Sequence, residues 1–308
     1  MNVAIPWLWQ YLVLALILLV TNMFSTNNAY AESAVPAQGQ RIVLITGSTG
    51  GLGRETAKAL AGQGDHVIVH GRNVARGEEL VEEIRARGRG SARFYPADFA
   101  SLEEVRNFAS AILRDYERLD VLVNNAGIFL PNEEQRLLSR DGYELHFQVN
   151  YLAGYLLTRQ LLPLLEASAP SRIINVASGQ RPIDFDNLML ETGYSGTQAY
   201  FQSKNAQVMM TFYLAADLAT RGVVINAMHP SDLMDTDMVI EAGMEPISSV
   251  DTGRDALVRL IDEDVGTGKF FNVFVEAEAK PQAYDSAARA RLIAVSDELL
   301  AGAFANIE

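Results

Sequence analysis

A doubly wound α/β domain, a seven-stranded parallel sheet with helices on both faces, is the fold class the chain predicts, and three features predict it. From Arg41 onward, short β-branched runs alternate with longer amphipathic stretches, the pattern of a parallel sheet whose crossovers are helices. Glycines 47, 50, 51 and 53 cluster between the first such run and the first such stretch, where a strand must turn tightly into a helix. The other unusual polar residues fall at the carboxyl end of one run after another, the edge where open α/β sheets bind ligands. The 308 residues, 49% hydrophobic and 20% charged, make an ordinary globular composition and exclude disorder and fibrous structure.

Taken in order, the first 40 residues stand apart. Residues 5–20 are apolar except for Gln10, and the first charged residue is Glu32. An Ala-x-Ala at Ala29 to Ala31 is the small-residue pattern of a signal-peptidase site, although no basic stretch precedes it. Residues 5–24, about 20 in number, are also long enough to span a bilayer as an uncleaved anchor. Residues 1–40 are thus read as a signal peptide cleaved after Ala31, or a membrane anchor, plus a linker, and 41–308 as the folded domain. Strands are expected at 41–46, 66–70, 92–96, 121–124, 172–177, 223–228 and 270–275, with helices in the gaps. Ser101, Leu102, Glu103 and Glu104 form an S-x-x-E capping box that starts the third helix. A long helix is expected from about Asp141, and 196–221 is helical by periodicity.

Composition restricts the chemistry. With no cysteine, a thiolate nucleophile, a disulfide scaffold and a zinc-thiolate cluster are absent, and the four histidines show no metal-ligand spacing. A net charge of -13 without a basic patch repels a phosphate backbone, so no nucleic-acid partner is expected.

The marked residues then sort by strand. Thr46, Gly47, Gly51, Leu52 and Gly53 follow the first, where glycines let backbone N–H groups approach a pyrophosphate at a helix N-terminus. After the second strand no Asp or Glu occurs from 67 to 76. Arg72 stands there instead, able to pair with a 2'-phosphate, which favours NADP(H) over NAD(H); Arg54, opening the first helix, either assists or is solvated. Asp98 either accepts a bond from an adenine amino group or serves as a turn residue. Asn124, Asn125, Ala126 and Gly127 end the fourth strand, with Asn124 tying strand ends together or lining the crevice. Ser178 ends the fifth strand, and His229 and Pro230 the sixth.

Tyr200 and Lys204, one of only four lysines, are spaced i, i+4 on one helix face. An ammonium beside a phenol favours phenolate, bringing tyrosine toward proton exchange. Ser178 is positioned to bond the reacting oxygen, and Asn150 to hold a water or backbone group that connects to Lys204.

Together these residues resemble the short-chain dehydrogenase/reductase family: Thr46-Gly-x-x-x-Gly51-x-Gly53, Asn124-Asn-Ala-Gly127, Asn150, Ser178 and Tyr200-x-x-x-Lys204, in order. His70-Gly-Arg-Asn73 and the ending around Gly268-Lys-Phe-Phe271 are similar to the branch of retinol dehydrogenases and WW-domain oxidoreductases. The resemblance implies a Rossmann-type domain and reversible hydride transfer between a nicotinamide and an alcohol or carbonyl. Tyr200 would be the general acid/base, Lys204 would bind ribose and depress the tyrosine pKa, Ser178 would polarise the substrate oxygen, and Asn150 would support a proton relay. It allows a homodimer. Two departures stand out: Ser231 follows Pro230 where the family has glycine, with one extra residue before Thr236, and Ala177 replaces a second serine.

Phe185, Leu188, Met189, Leu233 and Met234 suggest an apolar substrate. The competing reading is a catalytically silent NADP(H) sensor on the same fold, against which the retention of Ser178, Tyr200 and Lys204 argues. An exported domain would leave cytosolic NADP(H) behind, so the amino-terminal segment implies either an anchor with the domain facing the cofactor or export of a loaded protein.

Overall fold

The computed structural model describes residues 35–305; the stretch read as signal peptide or anchor, with its cleavage point at Ala31, lies outside the described residues. Among the described residues no helix is long and apolar enough to cross a membrane. The elements run β1 Ile42–Ile45, α1 Gly51–Gln63, β2 His66–Gly71, α2 Val74–Arg87, β3 Ser91–Pro96, α3 Leu102–Asp115, β4 Val121–Asn124, a π-helical segment Phe147–Leu152 continuing into α4 Ala153–Ala167, β5 Ser171–Val176, α5 Gly196–Ala219, β6 Val223–His229, α6 Asp237–Glu241, α7 Val250–Asp262, β7 Phe270–Asn272, β8 Val275–Ala277, a 3₁₀ turn Pro281–Tyr284 and α8 Ser286–Ala305.

One sheet takes all the strands in the order β3-β2-β1-β4-β5-β6-β7-β8. The first strand shows why such runs pair on both edges and bury both faces. Ile42 and Leu44 pack among side chains of α3, α4, α5 and α8, whereas Val43 and Ile45 pack among those of α1, α2 and α7, as the twofold alternation of a strand requires. Strand β1 lies between β2 and β4, so the direction of winding reverses there and a crevice opens beyond its carboxyl end.

Local signals set the helix ends. Asn73 accepts the Arg76 N–H and Ser101 the Glu104 N–H, satisfying groups that helix N-termini leave bare. Glu104 reaches back as a capping box demands, but to the N–H of Asp98 at 2.7 Å, because Ser101 N–H is already bonded to the Asp98 carbonyl.

Two expectations fail. Among the described residues the sheet has eight strands, not seven: the run read as one strand over 270–275 folds back as the antiparallel pair β7 and β8. The turn carries Val273 at φ 53°, a conformation for which glycine or asparagine is the usual sequence signal, and a β-branched valine at that position does not announce it. The long helix does not start at Asp141. That carboxylate instead accepts from Leu102 N–H at 2.9 Å and from the Gln148 amide at 2.7 Å.

Candidate active site

The glycine turn is held from three sides. Thr46 is buried, and its hydroxyl accepts the N–H groups of Asn125 and Ala126, both at 2.9 Å. The Asn125 amide in turn donates to the Thr46 and Gly47 carbonyls at 2.8 and 3.2 Å. Gly47 N–H donates to His70 Nδ1 at 3.1 Å. His70 stacks between Phe99 and Phe108, and burial pulls its pKa down to about 3, so the neutral ring serves as an acceptor. A side chain at Gly47 would meet the Ala126 backbone at 2.8 Å, and one at Gly53 the Gly47 carbonyl at 2.6 Å, so both positions admit only glycine.

These residues fit a dinucleotide. Helix α1 starts from Gly50 with no side-chain cap and no acidic residue in its first turn, leaving its N–H groups and dipole to an anion. Arg72 is exposed at the end of β2. Arg76 went unremarked in the sequence, yet its Nη1 lies 3.7 Å from where Gly50 would carry a side chain. It pairs at 2.9 Å with Asp237, the first residue of α6. Arg54, rather than being solvated, is ion-paired with Glu83 at 2.6 Å and Glu79 at 3.6 Å. Leu52 is buried beneath the turn.

Asn124 takes the tying role. Its amide donates to Thr158 at 3.0 Å and to Asn175 at 2.9 Å, joining β4 to α4 and β5. The Asp98 carboxylate accepts the Ala100 N–H at 3.0 Å, as a turn residue does, and lies 3.5 Å from Arg140.

The other residues gather over the carboxyl ends of β4 and β5. Tyr200, Lys204 and Asn150 are 9%, 4% and 1% exposed. Lys204 Nζ sits 5.7 Å from the Tyr200 ring centroid and donates to the Val176 carbonyl at 2.9 Å and to Gln207 at 3.0 Å. Lys204 Nζ and Asn150 Oδ1 come within 3.4 and 3.2 Å of the position a side chain on Gly127 would take. Asn150 does hold a backbone group. It accepts Ile128 N–H at 2.8 Å, and its amide donates to the Ile128 carbonyl at 3.1 Å and to Ser203 at 3.0 Å. It does so from a π-helical segment, a register that often accompanies functional sites.

Burial raises the Tyr200 phenol above its ordinary pKa, offset only in part by a hydrogen bond with Ser178. Lys204 is not among the causes acting on the phenol, and burial brings Lys204 itself down to about 7.

After β6, Ser231 donates to Ser248 at 3.0 Å, Leu233 turns at φ 36°, and Thr236 lies 3.3 Å from the side-chain position of Gly51. The segment after Pro230 thus folds over the glycine turn. The apolar residues expected to meet substrate divide. Leu188 is buried and Phe185 and Met189 pack against the core, while half-buried Met234 packs on Gly253.

The fold and this crevice define an α/β protein built to seat a dinucleotide beside a buried Tyr–Lys pair. Residues 41–246 match the short chain dehydrogenase family, and the chain belongs to it. It is 40% identical over 197 residues to human retinol dehydrogenase 13, covering 62% of this chain and 58% of that one, so it spans about three-fifths of that relative's length. Among solved structures, an uncharacterised protein from Mycobacterium paratuberculosis superposes with a TM-score of 0.70 at 28% identity, covering 86% of this chain and 95% of that one. A short chain dehydrogenase from Shigella flexneri 2a, solved with NADP, has a TM-score of 0.63 at 27% identity, covering 76% and 96%.

Proposed function

We propose that this chain catalyses reversible hydride transfer between NADP(H) and an apolar alcohol or carbonyl, with Tyr200 as general acid/base. The single observation carrying this reading is the convergence of Tyr200, half-buried Ser178 and Lys204 at the carboxyl end of β5. When bound, the nicotinamide supplies or accepts the hydride. Tyr200 holds the proton that passes to or from the substrate oxygen, and its raised pKa keeps that proton on the phenol for the reductive direction. Ser178 orients the same oxygen. Lys204, titrating close to neutrality, would exchange its Val176 and Gln207 partners for the ribose and the phenol, and its charge would then ease deprotonation of Tyr200.

Support for NADP(H) comes from Arg72, from Arg76 over the glycine turn, and from the NADP complex of the Shigella relative. Support for an apolar alcohol comes from the relative named as a retinol dehydrogenase. Fluorescence titration with NADPH and NADH, followed by retinal, decanal and cyclohexanone as substrates, tests the reading. Tighter NADPH binding and turnover of the apolar carbonyls are expected. Tighter binding without turnover of any carbonyl or alcohol would leave a silent sensor.

A further inference from the structure

We propose that Glu144 and His146, neither of which touches the reacting atoms, are positioning residues that hold Tyr200 through the loop 128–130; this rests on the reading of Tyr200 as the acid/base. Both residues are fully buried, at 0% exposure, a setting in which an acid and an imidazole persist only if their hydrogen bonds are satisfied. Glu144 uses both oxygens at the entrance of the π-helical segment. Oε1 accepts the His146 N–H at 3.1 Å and Oε2 the Phe147 N–H at 2.7 Å.

Glu144 Oε1 also lies 3.0 Å from His146 Nδ1. A carboxylate can only accept, so the Nδ1 carries the hydrogen and Nε2 is left with its lone pair. That lone pair is used: Leu130 N–H donates to His146 Nε2 at 3.2 Å. Glu144 thereby fixes the one tautomer that can hold the loop.

The loop is pinned at two alternate residues, Ile128 by Asn150 and Leu130 by His146. Phe129 between them packs on the Tyr200 ring, centroids 4.4 Å apart, and His146 meets the same ring edge-on at 6.4 Å. Beyond the pins, Gly196 N–H donates to the Glu133 carbonyl at 3.1 Å. The Leu130 carbonyl comes within 2.0 Å of where Gly196 would carry a side chain. The first turn of α5, which carries Tyr200, is therefore seated on this loop. Losing the Leu130 bond frees Phe129 and lets the phenol ring shift without disturbing the glycine turn on the far side of the crevice.

The test uses the full chain. His146→Leu removes the acceptor and His146→Gln returns one at the same reach. Glu144→Gln sets an NH₂ against a backbone N–H and weakens the tautomer control. For His146→Leu, single-turnover reduction of decanal at saturating NADPH is expected to slow by about tenfold or more, the scale of a small misplacement at a reacting centre. NADPH affinity stays within about twofold, His146→Gln recovers most of the rate, and Glu144→Gln falls between. Hydrogen exchange at the Leu130 amide is expected to be slow in the wild type and His146→Gln and fast in His146→Leu. Equal rates in the Leu and Gln variants, a loss that follows NADPH affinity, or unchanged Leu130 exchange would overturn the clamp. If the wild type turns over no carbonyl, the acid/base reading fails instead, and Leu130 exchange alone decides whether His146 holds the loop.

Discussion

The floor of the crevice and its rim are built on opposite electrostatic terms. At the floor, Tyr200, Lys204 and His70 are buried, and burial dominates their charge states: the phenol goes up, the ammonium down to about 7 and the imidazole down to about 3. At the rim, Arg76 and Asp237 are 53% and 58% exposed in their side chains, where an ion pair is worth little and exchanges readily. The floor is therefore a preorganised site whose protons are set by shape, whereas the rim can trade one anion for another. A 2'-phosphate arriving at Arg72 would compete directly with Asp237 for Arg76.

The sharpest way to break this comparison is at the floor. Tyr200→Phe removes the transferable proton and keeps the packing against Phe129, so turnover should drop by about 10²–10⁴-fold, while NADPH titration stays within a few-fold. Turnover close to wild type would reject the acid/base role. At the rim the effects are smaller and selective. Arg72→Ala or Arg76→Ala should each weaken NADPH by about tenfold, the loss of a charge-assisted bond, and leave NADH nearly unchanged. Asp237→Asn should tighten NADPH by up to about threefold. Equal losses for both nucleotides would show that the rim does not read the phosphate.

A separate effect falls on stability rather than on binding or turnover, and its sign follows from burial. His66 and His70 have folded pKa values of about 4 and about 3, each pulled down first by desolvation. The unfolded chain therefore binds protons that the folded chain refuses. Stability is full above the ordinary histidine pKa of about 6.5 and falls as the pH drops below it, by up to about 2 kcal/mol per histidine at pH 5. Urea midpoints at pH 7.5 and 5 should show this fall, and His70→Leu should flatten part of the slope. A slope unaffected by that change would assign it elsewhere.

How much was legible depends on how local the signal is. The capping serine at Ser101, the glycine turn, the β4 strand at Val121–Asn124 and the Tyr-x-x-x-Lys spacing are all contained within a few residues, and the chain folds there much as they read. Arg76, Glu144 and His146 were invisible for the opposite reason. Arg76 is an ordinary residue in the first turn of α2 until the Asp237 segment folds over the glycine turn. Glu144 and His146 read as an unremarkable part of a helix until Leu130 is brought back against them. Val273 shows the same limit in the backbone, since its left-handed turn is imposed by pairing β7 with β8 rather than by a turn residue.

Sequence alone therefore determined the order of strands and helices up to β7, the edge of the sheet on which the marked residues gather and the candidates Tyr200, Lys204, Ser178 and Asn150, because periodicity, caps and fixed spacings act over one or two turns. Only the tertiary structure decided how burial shifts Tyr200 and Lys204, the partners of Lys204 and the two pins on the loop beneath Tyr200, because burial and hydrogen-bond geometry depend on which distant segments close over a side chain.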